Sequence, residues 1–292
     1  MTTLDPTFRP SKKLGQNFLT NESVVERIAL AGLAHCDSVD RIIEIGPGKG
    51  VLTKYLLSRS NKPVTAIEKD KRLYEYLCGI FSAEIASGAL TLINDDALKF
   101  PLPNEKYAII ANIPYSITSP LIDHFIRDTA MHTDANLDLG KNVNTAAPNM
   151  PTYAVLLVQK EVAEKVAAKA PHMNVLALHV QTFAQVKYLF KVSAGNFSPA
   201  PKVDSAVIEI TTYPQTEATN AHDKEERYSA INQKVDLQFD YKKYFGLIHA
   251  AFSQKRKMLS STVGKELCLK AGIDPTRRPE TLSVDEWKKL AS

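Results

Sequence analysis

Through the first two thirds of the chain, short apolar runs alternate with stretches whose apolar residues recur at helical spacing. Arg41 to Gly46 (RIIEIG), Pro63 to Asp70 (PVTAIEKD), Leu90 to Leu98 (LTLINDDAL), Tyr107 to Asn112 (YAIIAN) and Thr152 to Gln159 (TYAVLLVQ) predict strands. Most are apolar on both alternating faces, as strands buried on both sides are. Between them Gly50 to Ser60, Lys71 to Phe81, Ser119 to Asp128 and Lys160 to Ala170 predict helices. An earlier helix is expected from Asn21 to Gly32, with Asn21 as its cap and a glycine at its end. This alternation predicts an α/β domain: a doubly wound, mainly parallel sheet covered on both faces. One more strand ends near Thr212, and beyond it Tyr241 to Thr262, Lys265 to Ala271 and Val284 to Ala291 read as helices. The expected division is therefore an α/β domain over residues 1–212 and a smaller helical domain over 213–292. Two polar stretches without periodicity, Met131 to Pro151 and Gln215 to Lys234, predict exposed loops.

Composition narrows the setting more than the activity. A 44% hydrophobic and 23% charged chain of 292 residues can fill a large core and a small one, which excludes disorder throughout. A formal charge of +4 favours a polyanionic partner without identifying one. Cys36, Cys78 and Cys268 are too scattered for a zinc pattern or a disulfide framework, so reduced, buried thiols and a cytoplasmic location are expected. The first residues carry no secretory apolar region, and no run approaches the roughly 20 apolar residues of a membrane span, so no membrane contact is expected.

Chemistry enters with EIGPGKGVLT, which sets Gly46, Gly48 and Gly50 directly between a strand and a helix. Glycines there permit positive φ and a close approach of ligand to backbone, next to the free N–H groups of a helix N-terminus. The G-x-G-x-G spacing is neither the dinucleotide fingerprint nor a P-loop. Glu68 closes the next strand about 20 residues on, where an acid accepts from ribose hydroxyls, so a cofactor containing adenosine is expected. Asp95 and Asp96 follow the third strand; one of them is expected at the adenine ring, against a competing role as a helix cap.

The fourth strand ends in Asn112-Ile113-Pro114-Tyr115, at the edge of the sheet where α/β domains bind ligands. An exocyclic amine on a base is a weak nucleophile because its lone pair is conjugated into the ring. The Asn112 side-chain oxygen and the carbonyl of Ile113 or Pro114 could accept its N–H groups and turn that lone pair toward an electrophile. Pro114 fixes the backbone direction and Tyr115 offers a stacking face to an unstacked base. The chemistry these residues permit is in-line transfer of a methyl group from a sulfonium, by positioning and electrostatics, without a metal. A plain turn, with Asn112 capping and Tyr115 packing, is the competing reading.

LGQNFL, EIGPGKGVLT, AIEKD, NDDAL, NIPY, QKEVAEKV, FSPAPKVDSAV, FSQKRKML and RRPETLS occur in this order from Leu14 to Ser283. In this the chain resembles the S-adenosylmethionine-dependent ribosomal RNA adenine dimethyltransferases, and within them the bacterial 16S enzymes. The resemblance implies a class I, Rossmann-like methyltransferase fold and a donor site lined by Asn17, Leu19, Gly46, Glu68, Asp96 and Asn112. It implies that Asn112, Pro114 and Tyr115 hold the target adenine, with Phe197 as a second aromatic wall. It further implies two N6 methylations on each of two adjacent adenosines of a hairpin loop near the 3′ end of 16S RNA, on a precursor of the small subunit. The chain departs from the family pattern at Met173-Asn174, where a Tyr-Gly pair is usual, at Lys165, where Arg is common, and in the two polar stretches.

Lys255, Arg256 and Lys257 are expected to contact RNA phosphates from one helical face, with Lys12, Lys13, Lys242 and Lys243 as weaker candidates. A monomer is expected. Three alternatives stand beside this reading: a 23S adenine methyltransferase of the resistance type, a non-catalytic ribosome assembly factor, and a dehydrogenase.

Overall fold

The computed structural model describes residues 9–11, 14–130, 150–214, 235–236 and 239–292. The two polar stretches expected as loops lie almost wholly outside them, as do Lys12 and Lys13.

Among the described residues, β2 (Arg41–Ile45), β3 (Val64–Ile67), β4 (Leu90–Ile93), β5 (Tyr107–Asn112), β6 (Tyr153–Gln159), β7 (Ala184–Val192) and β9 (Ser205–Thr212) form a seven-stranded sheet in the order β4-β3-β2-β5-β6-β9-β7. The first five in that order run parallel, and β9 is antiparallel to both β6 and β7. The parallel strands are buried on both faces because successive residues feed two apolar clusters: Ile42, Ala108, Ile110, Val155 and Leu157 on one side, Ile43, Ile109, Ala111, Leu156 and Val158 on the other. From β2 the chain steps outward to β3 and β4, then crosses back to β5. The switch point therefore falls between β2 and β5, whose carboxyl ends carry the glycine loop and the Asn112 segment.

Helix α1 (Glu22–Leu33) is capped by the Asn21 side chain, which accepts from Ser23 N–H. It presses against the sheet where a side chain at Gly32 would collide with Ile110, and the Gly32 carbonyl accepts the buried Tyr153 hydroxyl at 2.7 Å. Helices α2 (Val51–Arg59) and α3 (Lys71–Ile80) fall within a residue or so of expectation. A two-stranded pairing that the sequence did not predict joins β1 (Phe18–Leu19) to β8 (Phe197–Ser198), with Leu19 opposite Phe197. Strand β7 is likewise absent from the sequence reading. It is a half-exposed edge strand with an irregularity between Tyr188 and Phe190, which breaks the period-two signal.

Past the sheet, the helix Tyr241–Phe252 ends ten residues earlier than expected, and Ser253 to Met258 form an exposed turn. Its buried face, with Tyr244, Phe245 and Ile248, continues the apolar cluster on one side of the sheet, and the Tyr244 hydroxyl meets Thr182 at 2.8 Å. The last helix, Val284–Ala291, opens on a capping box between Ser283 and Glu286 and buries Trp287 completely. Cys268 is buried, while Cys36 and Cys78 are only partly so. No helix among the described residues is long and apolar enough to cross a membrane.

Candidate active site

A cavity opens over the carboxyl ends of β2 and β5, lined chiefly by residues 14–19, 44–49, 67–69, 95–97 and 112–117. Asn17, Leu19, Gly46, Gly48, Glu68, Asp96, Asn112, Pro114 and Tyr115 all lie on its wall, although the sequence scatters them over almost 100 positions.

The floor is the glycine loop. Gly46 has φ of +65°, and a side chain there would sit 3.2 Å from the Pro114 ring, so the absence of a Cβ is what lets the two loops touch. Gly48, at φ +60°, faces Phe18 in the same way, and a Cβ there would lie 3.1 Å from that ring. The Gly48 N–H is not free: it donates to Glu68 Oε2 at 3.1 Å, while Asp70 N–H donates to Glu68 Oε1 at 2.8 Å. Glu68 thus ties the loop to the end of β3 and lines the cavity. Burial pushes its carboxyl above the usual range, against the pull of these two N–H donors.

Glu44 is the functional candidate that the sequence reading missed. It is 1% exposed, it lines the cavity, and burial raises its carboxyl to about 8. The neighbouring Thr53 counteracts burial in part, yet Glu44 Oε2 and the Thr53 hydroxyl make no hydrogen bond of regular geometry among the described residues. A charged residue inside an otherwise apolar strand, one position before the glycine loop, was the available signal.

Asp96 accepts from Lys69 Nζ at 2.7 Å and from Leu98 N–H at 3.2 Å, and the lysine bond lowers its carboxyl. These bonds close a turn over residues 96–99; no helix follows, so the helix-capping role considered for this residue is not what the structure shows, and Asp96 stands on the cavity wall. Asp95 also lines the cavity and accepts the Asp96 N–H. Asn17 donates its amide to the Gly15 carbonyl at 3.2 Å. Gln16 donates to Asp70 at 3.0 Å, which draws the strap of residues 14–19 across the cavity mouth.

On the opposite wall the Asn112 carboxamide has no hydrogen-bond partner among the described residues and is only partly buried, so its oxygen is available. Of the two backbone carbonyls the sequence offered, Pro114's already accepts Ile117 N–H at 3.1 Å, which leaves that of Ile113. Tyr115 opens a short 3-10 turn over Tyr115–Ile117 and is partly buried, and its hydroxyl lies 2.5 Å from Ser205 Oγ. Burial raises this phenol, so it is neutral at physiological pH.

Phe197 is not among the residues lining the cavity: it is 5% exposed, pairs with Leu19, and belongs to the same apolar cluster as Val192 and Val207. One expectation needs correction. Lys255, Arg256 and Lys257 are exposed as expected, but on the turn after the helix Tyr241–Phe252 and not on a helical face. They border a shallow depression formed by residues 252–257.

The doubly wound, mainly parallel sheet with a glycine loop at its switch point is the fold of a class I methyltransferase. Residues 7–291 match the family model for ribosomal RNA adenine dimethylase, and the chain belongs to that family. A relative from Dehalococcoides mccartyi, a ribosomal RNA small subunit methyltransferase A, is 33% identical over 97% of this chain and 88% of its own length. One of the same description from Fusobacterium nucleatum is 33% identical over 97% of both chains. Among solved structures, a dimethyladenosine transferase from Plasmodium falciparum superposes with a TM-score of 0.63 at 22% identity, covering 94% of this chain and 95% of that one. The 23S rRNA methyltransferase ErmE gives 0.58 at 22% identity, over 94% and 98%. At that identity both structures bear on the fold alone.

Proposed function

We propose that this chain dimethylates N6 of two adjacent adenosines in a hairpin loop near the 3′ end of 16S ribosomal RNA, acting as a monomer on precursors of the small subunit. One observation carries the reading: an unpartnered carboxamide and an aromatic ring face a cavity whose floor holds two buried carboxylates.

S-adenosylmethionine supplies an electrophilic methyl group on a sulfonium. Glu44 and Glu68, both with ionisation held back by burial, suit a ligand that brings positive charge with it, as a sulfonium and an ammonium do. The Gly48 amide that could have met the pyrophosphate of a nicotinamide dinucleotide is occupied by Glu68. This weighs against a dehydrogenase. Glu68 would hold the ribose hydroxyls and Asp96 the adenine edge, with Asn17, Leu19, Gly46 and Gly48 shaping the rest of the donor site.

Asn112 Oδ1 and the Ile113 carbonyl would accept the two N–H groups of the target amine, which directs its lone pair toward the donor side of the cavity. Tyr115 would stack on the unpaired base, and Pro114, packed on Gly46, fixes the distance between the base platform and the donor floor. Residues 1–212 would carry out catalysis, and residues 213–292 would dock RNA through Lys255, Arg256 and Lys257, which suit phosphates on a structured RNA.

The test is transfer of labelled methyl to separated 30S and 50S precursor particles, followed by mass spectrometry of the RNA. N6,N6-dimethyladenosine in 16S RNA alone is the expected result. Label confined to the 50S precursor would replace this reading with a 23S enzyme; binding without label would replace it with an assembly factor.

A further inference from the structure

Stacking alone would be served by phenylalanine, so the hydroxyl of Tyr115 calls for a reason. It lies 2.5 Å from Ser205 Oγ, across 90 residues of sequence. Ser205 is fully buried and begins β9, where its backbone lies between Gln159 of β6 and Val192 of β7. The residue before it is fixed as well: the Asp204 carboxylate accepts Ala194 N–H at 3.0 Å and Lys191 Nζ at 2.7 Å, and its carbonyl accepts Lys160 N–H at 2.9 Å. Ser205 is thus a hydroxyl set on a rigid support, and among the described residues Tyr115 is its partner.

We propose that Ser205 is a positioning residue for methyl transfer, holding the Tyr115 phenol and so fixing the direction of the ring on which the target base stacks. This rests on the reading of Tyr115 as the base platform. Tyr115 sits in a 3-10 turn, one residue past a proline, where its own backbone leaves the side chain two torsions to order. A bond at the para oxygen does not stop the ring from turning about its long axis. It fixes where that axis points, and with it the height of the stacked base above the Asn112 oxygen. The contact also joins the two motifs, NIPY and FSPAPKVDSAV, that lie far apart in the chain.

The experiment compares Ser205→Ala, Tyr115→Phe and the double variant on 30S precursor particles, measuring kcat, KM, donor Kd by calorimetry and Tm. Each single variant is expected to keep the donor Kd and KM of the parent and to lose only a few degrees of Tm, while kcat at about 25 °C, well below the melt, falls about tenfold, the ratio that one hydrogen bond of ordinary net strength supplies. The double variant is expected to be no slower than either single one, because both remove the same bond. Wild-type kcat in Ser205→Ala, multiplicative losses in the double variant, or a kcat loss that merely follows a fall in Tm would each overturn the proposal. Tyr115→Phe tests the bond from its less buried end should Ser205→Ala fold poorly. A parent protein that methylates neither particle would instead defeat the functional reading beneath it.

Discussion

Asn112 and Glu44 mark the two kinds of functional residue in this cavity. Asn112 could be recognised from the sequence because an amide next to Pro-Tyr at the end of a strand has no structural necessity. Its side chain meets no hydrogen-bond partner among the described residues, so Asn112→Ala should leave the donor isotherm and Tm intact and reduce methyl transfer by about 100-fold, the usual loss when one preorganised polar contact to a reacting group is removed; calorimetry and a labelled-methyl assay separate the two effects. Glu44 could not be recognised, because one acid within RIIEIG does not reveal that the whole strand is covered. Its carboxyl titrates at about 8 in the fold against 4.5 for the free group. Below 4.5 both states hold the proton, and between 4.5 and about 8 only the folded state does. Stability attributable to this residue is therefore full at low pH and falls as pH rises through that window, by on the order of a few kcal/mol. Glu44→Gln should flatten this dependence and raise Tm at pH 8 more than at pH 5, as read by thermal melts of the donor-free protein.

At the scale of elements, the helices that came out as expected are those with a cap or a breaker written beside them: Asn21 before α1, Asp70 before α3, Ser283 before the last helix. RRPETLS, which contributed to the resemblance, has a local structural account in the fold, since Arg277 bonds both Glu286 and the Thr281 carbonyl and Ser283 opens a capping box. The pairing of β1 with β8 was invisible because each strand is two residues long and lacks any period of its own. It also buries Phe197, whose register with Leu19 sets it in the apolar cluster on one side of the sheet. Phe197→Ala should accordingly destabilise the protein by about 3–5 kcal/mol in urea titrations, the range for truncating a buried phenylalanine. Tyr115→Ala, at a partly buried position, should cost much less stability while abolishing transfer.

For the whole molecule, the order β4-β3-β2-β5-β6-β9-β7 decides where chemistry can happen, because only at the switch point do two outgoing loops face one space. The C-terminal helices continue the core on one side of the sheet and present the basic turn to solvent. If Lys255, Arg256 and Lys257 meet RNA phosphates, replacing all three with alanine should weaken particle binding at low salt and reduce the slope of log K against log salt by about two, at roughly 0.7 per phosphate of a single strand. An unchanged slope, measured by filter binding over a salt series, would remove this turn from the interface.

The sequence by itself determined the alternation of strands and helices, the glycine loop, Glu68 and the Asn112 segment, because burial on both faces, positive φ and a polar group at a strand end each leave a local mark. Only the tertiary structure decided that Glu44 is a buried acid on the cavity wall, that Phe197 is core, and that the Tyr115 hydroxyl meets Ser205. Each of those depends on which distant segments pack against one another rather than on any pattern within one of them.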